Sequence, residues 1–255
     1  MARLCGVMII YQLLRSILEL KRNERLTREE LQRKNIARFR KFVKYVGKKS
    51  PYYARIIKEK GIRVERCVPG DFPILTKENL IKNFDEIVTD RRVKKEEILK
   101  FLDSSKNVGD LFLGKFHVLH TSGTSGQVGY FVYSRDDWVR GFSKSARIHK
   151  LGIRKKLAYV AITGGHFAGA SLVNFGQESV NRLFYNIKVF DIRRPISEIV
   201  SELNKFKPEI ITGYASALRM LAQAKEKGEL KVFPKIIESG GEPLFAENKK
   251  YIEEV

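Results

Sequence analysis

Residues 120–129 combine small hydroxyl side chains with glycines, a combination suited to binding an anion. The segment reads His-Thr-Ser-Gly-Thr-Ser-Gly-Gln-Val-Gly. Glycine lets backbone N–H groups curve around an anion, and the hydroxyls add further donors. These residues therefore suit a polyphosphate. The usual P-loop is excluded, because its G-x-x-x-x-G-K-[ST] pattern requires a lysine that this segment lacks.

The residues on either side of this segment favour β-strands. Residues 116–119 and 130–133 are rich in aromatic and β-branched side chains, which strands prefer. We therefore expect the loop to join two strands, whereas a Walker-type loop leads into a helix. Phosphate would then be held by backbone amides and hydroxyls alone. A Ser/Gly hairpin without a ligand is the alternative that composition leaves open.

The first part of the chain, residues 1–110, is predicted to be mainly helical. Thr27 and Glu30 have the spacing of a capping box, and apolar residues then recur at helical intervals up to Val46. We expect Gly47 and the Ser50-Pro pair to end this helix.

The second part, residues 111–255, is predicted to be an α/β nucleotide-binding unit. Four strand patterns alternate with helical patterns, which predicts a parallel sheet with covering helices. The strands are expected at residues 157–162, 187–190, 209–212 and 234–238, and the helices at residues 135–150, 168–182, 195–206 and 215–227.

Three Gly-rich segments follow these predicted strands, at residues 163–167, 212–216 and 239–243. Ligands of open parallel sheets bind outside the carboxyl ends of the strands. We therefore expect the three segments to line a single cleft that also includes the Ser/Gly loop.

The net charge is +20, and it is concentrated at the start of the chain. Residues 1–60 hold 17 Lys and Arg against 5 Glu. Such a segment suits nucleic acid, anionic lipid or an acidic partner. A solvated helical surface is the alternative we favour, because no nucleic-acid motif accompanies the charge.

The apolar run at residues 4–20 contains Arg15 and Glu19 and is shorter than the roughly 20 residues that span a bilayer. We predict a buried or interfacial amphipathic helix there, and neither a transmembrane segment nor a signal peptide. The two cysteines, Cys5 and Cys67, do not suggest a disulfide framework and fit a cytoplasmic protein.

Several motifs in order resemble the adenylate-forming superfamily, and within it the phenylacetate–CoA ligase-like branch with the CapK-type proteins and coenzyme F390 synthetase. The most diagnostic is Thr-Ser-Gly-Thr-Ser-Gly at residues 121–126, which matches the phosphate loop of the family. The other elements are Ser-Pro-Tyr-Tyr (50–53), Phe-Pro-Ile-Leu-Thr-Lys (72–77), Thr-Gly-Tyr-Ala-Ser-Ala (212–217) and Ser-Gly-Gly-Glu-Pro (239–243).

The resemblance implies a ligase that uses ATP, Mg²⁺ and coenzyme A to convert a small, possibly aryl, carboxylic acid first into an acyl-AMP and then into a thioester. It implies three groups of site residues. The ATP phosphate loop comprises Thr121, Ser122, Gly123, Thr124, Ser125, Gly126 and Gln127. The adenine and ribose side comprises Ser239, Gly240, Gly241, Glu242 and Pro243. The acyl pocket comprises His166, Phe167, Gly213, Tyr214 and Ala215.

Structural roles stay open for His166 and Tyr214, and also for His117 in the strand before the loop. His166 is equally well explained as a loop histidine, and Tyr214 as a core residue. His117 is better explained as a packed or exposed strand histidine than by a nucleotide contact. We assign Glu242 a functional role, because an acid between Gly-Gly and Pro lacks an evident helix or strand to support.

The sequence departs from the family in two ways. Gln127 and Val128 stand where the family loop often continues Lys-Pro. The family's catalytic Glu and Lys, and a metal ligand, cannot be assigned to residues before Val255. We therefore expect the first half of such an enzyme, inactive alone, with a second subunit or a homodimer as open arrangements. The alternatives are a non-catalytic truncated homologue and a basic binding module for an anionic partner, without specific nucleic-acid recognition.

Overall fold

The computed structural model describes residues 2–123, 127–144, 154–177 and 181–255. The chain forms two compact units. The sheet unit comprises Met1–Ile17, Lys106–Leu119 and Tyr133–Val255, and the helical unit comprises Leu18–Ser105 and His120–Val132. The domain boundary expected near residue 110 stays a prediction.

The helical unit begins within α1 (Ala2–Asn23) and continues with α2 (Arg28–Lys49) and α3 (Pro51–Glu59). The predicted capping box is confirmed, because the Thr27 hydroxyl accepts from the Glu30 N–H and the Glu30 carboxylate accepts from the Thr27 N–H, at 3.2 and 2.8 Å. Gly47 lies inside α2, so the expectation that it ends the helix was wrong; Ser50 is the cap.

Three short helices complete the helical unit: α4 (Lys77–Lys82), α5 (Phe84–Ile87) and α6 (Lys95–Ser104). Thr76 begins α4, since its hydroxyl accepts from the Asn79 N–H at 3.2 Å. The Ser/Gly loop belongs to this unit and joins β1 (Phe116–His120) to β2 (Tyr130–Ser134), which form a two-stranded sheet.

The sheet unit confirms the predicted α/β class. Its elements in chain order are α7 (Arg135–Ser143), β3 (Lys155–Ala161), α8 (Ala168–Gly176), β4 (Tyr185–Asp191), α9 (Ile196–Phe206), β5 (Ile210–Gly213), α10 (Ala215–Glu226), β6 (Ile236–Ser239) and α11 (Ala246–Glu254). The strands are ordered β4-β3-β5-β6 and pair in parallel.

Strand β3 is buried on both faces, as its continuous apolar run predicts. Ala158 and Val160 belong to one core cluster, with Leu203 of α9 and Leu221 of α10. The alternate β3 residues Leu157, Tyr159 and Ala161 belong to the other cluster. That cluster also contains side chains from α1, α7 and α8, which are Ile9, Leu13, Trp138, Val139, Phe142 and Phe175. The period of two along the strand divides the core in this way.

Helix α8 ends at Gly176 rather than near residue 182, so its predicted end was wrong. Helix α9 ends at Phe206 as predicted, and Lys207 closes it in the left-handed region with φ of 51°. The predicted extension of α7 to residue 150 falls largely outside the described residues. No helix in the part of the chain that the structure describes has the length and hydropathy of a membrane span.

Candidate functional site

Two reciprocal hydrogen bonds close the base of the Ser/Gly loop. The Thr121 N–H donates to the Gly129 carbonyl at 3.0 Å, and the Gly129 N–H donates to the Thr121 hydroxyl oxygen at 2.9 Å. A hydroxyl that accepts one hydrogen bond still carries a hydrogen to donate. Thr121 can therefore fix the width of the loop and face a ligand with the same group.

In the described part of the loop, the backbone conformation at position 123 requires glycine. Gly123 has a φ of +73°, and a Cβ at this position would lie 2.8 Å from a methyl carbon of Val128. Ser122 and Gln127 are exposed to solvent. The predicted phosphate contacts Thr124, Ser125 and Gly126 lie outside the described residues.

A lysine that we did not assign to the site lies against the base of the loop. Lys77, the first residue of α4, is half-buried, and a Cβ at Gly129 would lie 3.5 Å from its Cε. The capping signal at Thr76 predicted where α4 begins. The same signal could not predict that Lys77 contacts Gly129, because these two residues are 52 positions apart in the sequence.

A pocket of about 440 Å³ lies in the helical unit beside Gln127. Its ionisable side chains balance in charge, since Lys82 and Lys95 are accompanied by Glu78 and Asp85. We therefore find no excess of positive charge in this pocket that would favour phosphate over other polar ligands.

The carboxyl ends of β5 and β6 lie side by side in the sheet unit. The Gly240 N–H donates to the Gly213 carbonyl at 3.0 Å. A Cβ at Gly213 would lie 2.2 Å from the Val160 carbonyl oxygen, and one at Gly241 would lie 2.8 Å from the ring of Tyr214. Glycine at position 213 therefore allows β5 to pack against β3, and glycine at position 241 allows two of the predicted Gly-rich segments to pack together.

Glu242 supports a helix, contrary to our expectation that it has none to support. Its carboxylate accepts a hydrogen bond from the Ser216 N–H at 2.9 Å, in the first turn of α10. A carboxylate at a helix N-terminus satisfies a free N–H and interacts favourably with the helix dipole. Sequence reasoning missed this contact because the two residues are 26 positions apart.

The carboxyl end of β3 is tied to β4 by a charged network. The Thr163 hydroxyl donates to the Asp191 carboxylate at 2.6 Å, and Arg193 donates to the Thr163 carbonyl at 3.1 Å. Arg193 also forms an ion pair with Asp191, and this contact holds the pKa of the Asp191 carboxyl well below its usual range. Sequence reasoning assigned neither charged residue to the site.

Two histidines lie in the interior of the sheet unit. His166 is buried, two positions before α8 begins. His117 is also buried and stacks on Trp138 with ring centroids 4.8 Å apart, so of the two structural alternatives it is the packed strand histidine. Burial, with smaller effects of Arg135 and His166, lowers the pKa of His117 to about 4.

Three buried polar atoms in the sheet unit have no hydrogen-bond partner among the described residues. They are Trp138 Nε1, Ser171 Oγ and Ser239 Oγ. Unpartnered buried polar groups are uncommon and call for an explanation, such as water or a ligand. Ser239 is notable because it ends β6 and is one of the residues predicted for the adenine and ribose side.

Metal-binding side chains do not cluster in the part of the chain that the structure describes. No group of three or more His, Cys, Asp or Glu side chains among these residues is arranged to hold a metal ion.

The fold is similar to that of part of a CoA ligase. Two structures of 2-hydroxyisobutyryl-CoA ligase in complex with 2-HIB-AMP and CoA match 90% of this chain. The thioesterification state matches with a TM-score of 0.62 and 23% identity, and the open conformation with 0.63 and 22%. The chain covers 47% and 52% of these ligase chains, so it spans about half of their length.

A curated relative extends the similarity to sequence. Protein CapK of Staphylococcus aureus is 23% identical over 205 residues, which cover 73% of this chain and 38% of CapK. No family model matches the sequence. The relative and the shared fold together confirm the resemblance to the adenylate-forming superfamily.

Replacing His117 with phenylalanine should remove one source of pH-dependent stability. The folded-state pKa of about 4 lies below the ordinary value of 6.5, so the unfolded chain takes up this proton first as the pH falls. His117 should therefore cost about 2 kcal/mol of stability at pH 5 relative to neutral pH. Urea unfolding at pH 7 and pH 5 should show a smaller loss of unfolding free energy for His117→Phe than for the wild type.

The matched control is His117→Gln, which also removes the titrating group at this position and should show the same smaller loss of unfolding free energy as His117→Phe. Equal losses in His117→Phe and the wild type would show that His117 does not titrate as an interior group.

Proposed function

We propose that this chain carries the phosphate-loop portion of an ATP-dependent carboxylate–CoA ligase. In the first step, a carboxylate oxygen of the substrate attacks the α-phosphorus of ATP, and the bond to the β-phosphate breaks to release pyrophosphate. In the second step, the sulfur of CoA attacks the acyl carbon and AMP leaves. The observation that carries the proposal is the Ser/Gly loop closed by Thr121 and Gly129 in a chain with a ligase fold.

The loop suits the first step because negative charge grows on the leaving pyrophosphate as its bond to the α-phosphorus breaks. Fixed hydrogen-bond donors stabilise such charge without reorganising during the reaction. The donors proposed for this role are the backbone and hydroxyl groups of Thr121, Ser122, Thr124 and Ser125, with Gly123 and Gly126 allowing close backbone approach. Gln127 adds a neutral donor.

Lys77 is our candidate for the positive charge that Gln127 does not supply. Its methylene stem lies against Gly129, at the base of the loop. The ammonium group at the end of this stem has three hydrogens to donate, so it can contact more than one polar partner. We propose that this ammonium group contacts the phosphates that the loop binds.

The strand-end segments are proposed to bind the rest of the substrates. Ser239, Gly240, Gly241, Glu242 and Pro243 are assigned to the adenine and ribose side, supported by the unpartnered Ser239 hydroxyl. His166, Phe167, Gly213, Tyr214 and Ala215 are assigned to the acyl pocket. The contact of Gly241 with the Tyr214 ring supports the placement of these two groups side by side.

The remaining parts of the proposal concern the protein as a whole. The chain spans about half the length of the ligases that it matches. For the protein as a whole we propose ligase activity with Mg²⁺ and CoA, a second subunit or a homodimer, and a cytoplasmic location. The phenylacetate–CoA ligase-like branch is proposed from the motifs at residues 50–53 and 72–77.

Replacing Thr121 with valine should weaken ATP binding by about tenfold. Valine keeps the branched shape but removes the oxygen that accepts from the Gly129 N–H, and the loss of such a hydrogen bond costs about 1 kcal/mol or more. The dissociation constant of ATP, measured by isothermal titration calorimetry, should rise accordingly. Thr121→Ser keeps the hydroxyl and should bind within about twofold of the wild type. ATP binding that is unchanged in Thr121→Val would contradict the proposed role of the loop.

Replacing Lys77 with alanine should weaken ATP binding by about tenfold or more, because a charged hydrogen bond contributes about 1.5–3 kcal/mol. The effect should shrink for AMP, which lacks the β- and γ-phosphates. Lys77→Arg keeps the charge and should restore most of the affinity for ATP. Equal losses for ATP and AMP would argue that Lys77 only supports the local fold.

A further inference from the structure

Helix α1 has an inward face that anchors it to the sheet unit. Ile9 and Leu13 are buried in the core cluster that contains Trp138. The Gln12 side-chain amide also donates to the Asp136 carboxylate at 2.7 Å. These contacts fix the rotation of the helix about its axis, and so determine which side chains point away from the core.

The outward face of α1 carries an apolar stripe. Tyr11, Leu14 and Leu18 are 63%, 49% and 57% exposed. Their spacing of three and four residues places them along one line of a continuous helix. Burial of these three large apolar side chains would require a partner of low polarity.

Cationic side chains flank this stripe. At 3.6 residues per turn, Arg15, Lys21 and Arg22 lie within about 60° of Leu18 around the helix axis. None of the three forms an ion pair with a residue that the structure describes, and all three are exposed. Glu19 lies about 100° from Leu18 and forms ion pairs with Lys34 and Arg38. The outward face of α1 is therefore both apolar and positively charged.

We propose that α1 docks this stripe into the surface of an anionic lipid bilayer. The apolar side chains would enter the boundary between headgroups and acyl chains, while the cations contact acidic headgroups. This arrangement is interfacial, since α1 does not have the character of a membrane span. It adds a site of attachment that is independent of the proposed ligase chemistry.

Charge complementarity selects the bilayer over a second copy of the chain. Two copies paired through this stripe would bring Arg15, Lys21 and Arg22 close to the same cations of the partner, which is unfavourable. Nucleic acid would satisfy the cations through its phosphates, but it would leave the apolar stripe in water. An anionic bilayer accommodates both features.

The test is co-flotation of the chain with vesicles at low salt. Wild-type chain should float with vesicles of phosphatidylcholine containing about one third phosphatidylglycerol. It should bind pure phosphatidylcholine vesicles at least about tenfold more weakly, because the cations are attracted to acidic headgroups. The double variant Leu14→Asp with Leu18→Asp should lose about tenfold or more of the binding to anionic vesicles, because it removes apolar area. Both leucines are exposed, so circular dichroism should show an unchanged fold.

A matched control places the same change on an exposed apolar residue elsewhere. Ile74 is 87% exposed, and Ile74→Asp should bind anionic vesicles like the wild type. The triple variant Arg15→Gln, Lys21→Gln and Arg22→Gln should bind more weakly and with a smaller dependence on salt.

Three outcomes would overturn the proposal. Binding to anionic vesicles that is equal in the wild type and the double aspartate variant would show that the stripe takes no part. Failure of the wild type to float, with self-association abolished by the double aspartate variant, would assign the stripe to a second copy. Failure to float, with DNA or RNA binding lost only in the triple glutamine variant, would assign the cations to nucleic acid.

Discussion

The close approach of β5 to β3 is the constraint on which the sheet unit depends. Gly213 faces the Val160 carbonyl so closely that any Cβ there would lie 2.2 Å from the oxygen. The next residue, Tyr214, donates its N–H to the same carbonyl at 3.3 Å, and Gly213 in turn accepts from Gly240. One backbone contact therefore sets the positions of the segments after both β5 and β6. Because a larger residue at position 213 would separate these strands, the candidate ligand-binding edge exists only with glycine there.

The Ser/Gly loop must hold its hydrogen-bond donors in place although it leads into a strand and not into a helix. The reciprocal hydrogen bonds between Thr121 and Gly129 hold its ends together. A Walker-type loop gains positive potential from a helix N-terminus and from its own lysine. In this chain the nearby Lys77, supplied by another element, is the candidate source of charge. With Lys77 as the source of positive charge, a loop that has Gln127 in place of lysine could still bind phosphate.

The periodic features of the fold were predictable from sequence because they are local. The continuous apolar run of β3, the alternation of strands and helices, and the capping box at Thr27 each depend on neighbouring residues. The contacts that define the candidate site are not local. Glu242 caps α10 through Ser216, and Lys77 reaches Gly129, each across an interval with no periodic signal. Gly47 was misread because glycine favours helix ends on average, while here the Ser50-Pro pair sets the end of α2.

Exchange of labelled pyrophosphate into ATP tests most directly whether this loop serves the formation of an acyl-adenylate. The assay should use the full product of the gene with a panel of small aliphatic and aryl carboxylic acids, with Mg²⁺ and without CoA. We predict exchange that requires one of the acids and falls at least about tenfold in Thr121→Val, while Thr121→Ser retains it. Exchange that proceeds equally without any acid, or that is unaffected by Thr121→Val, would contradict this role of the loop.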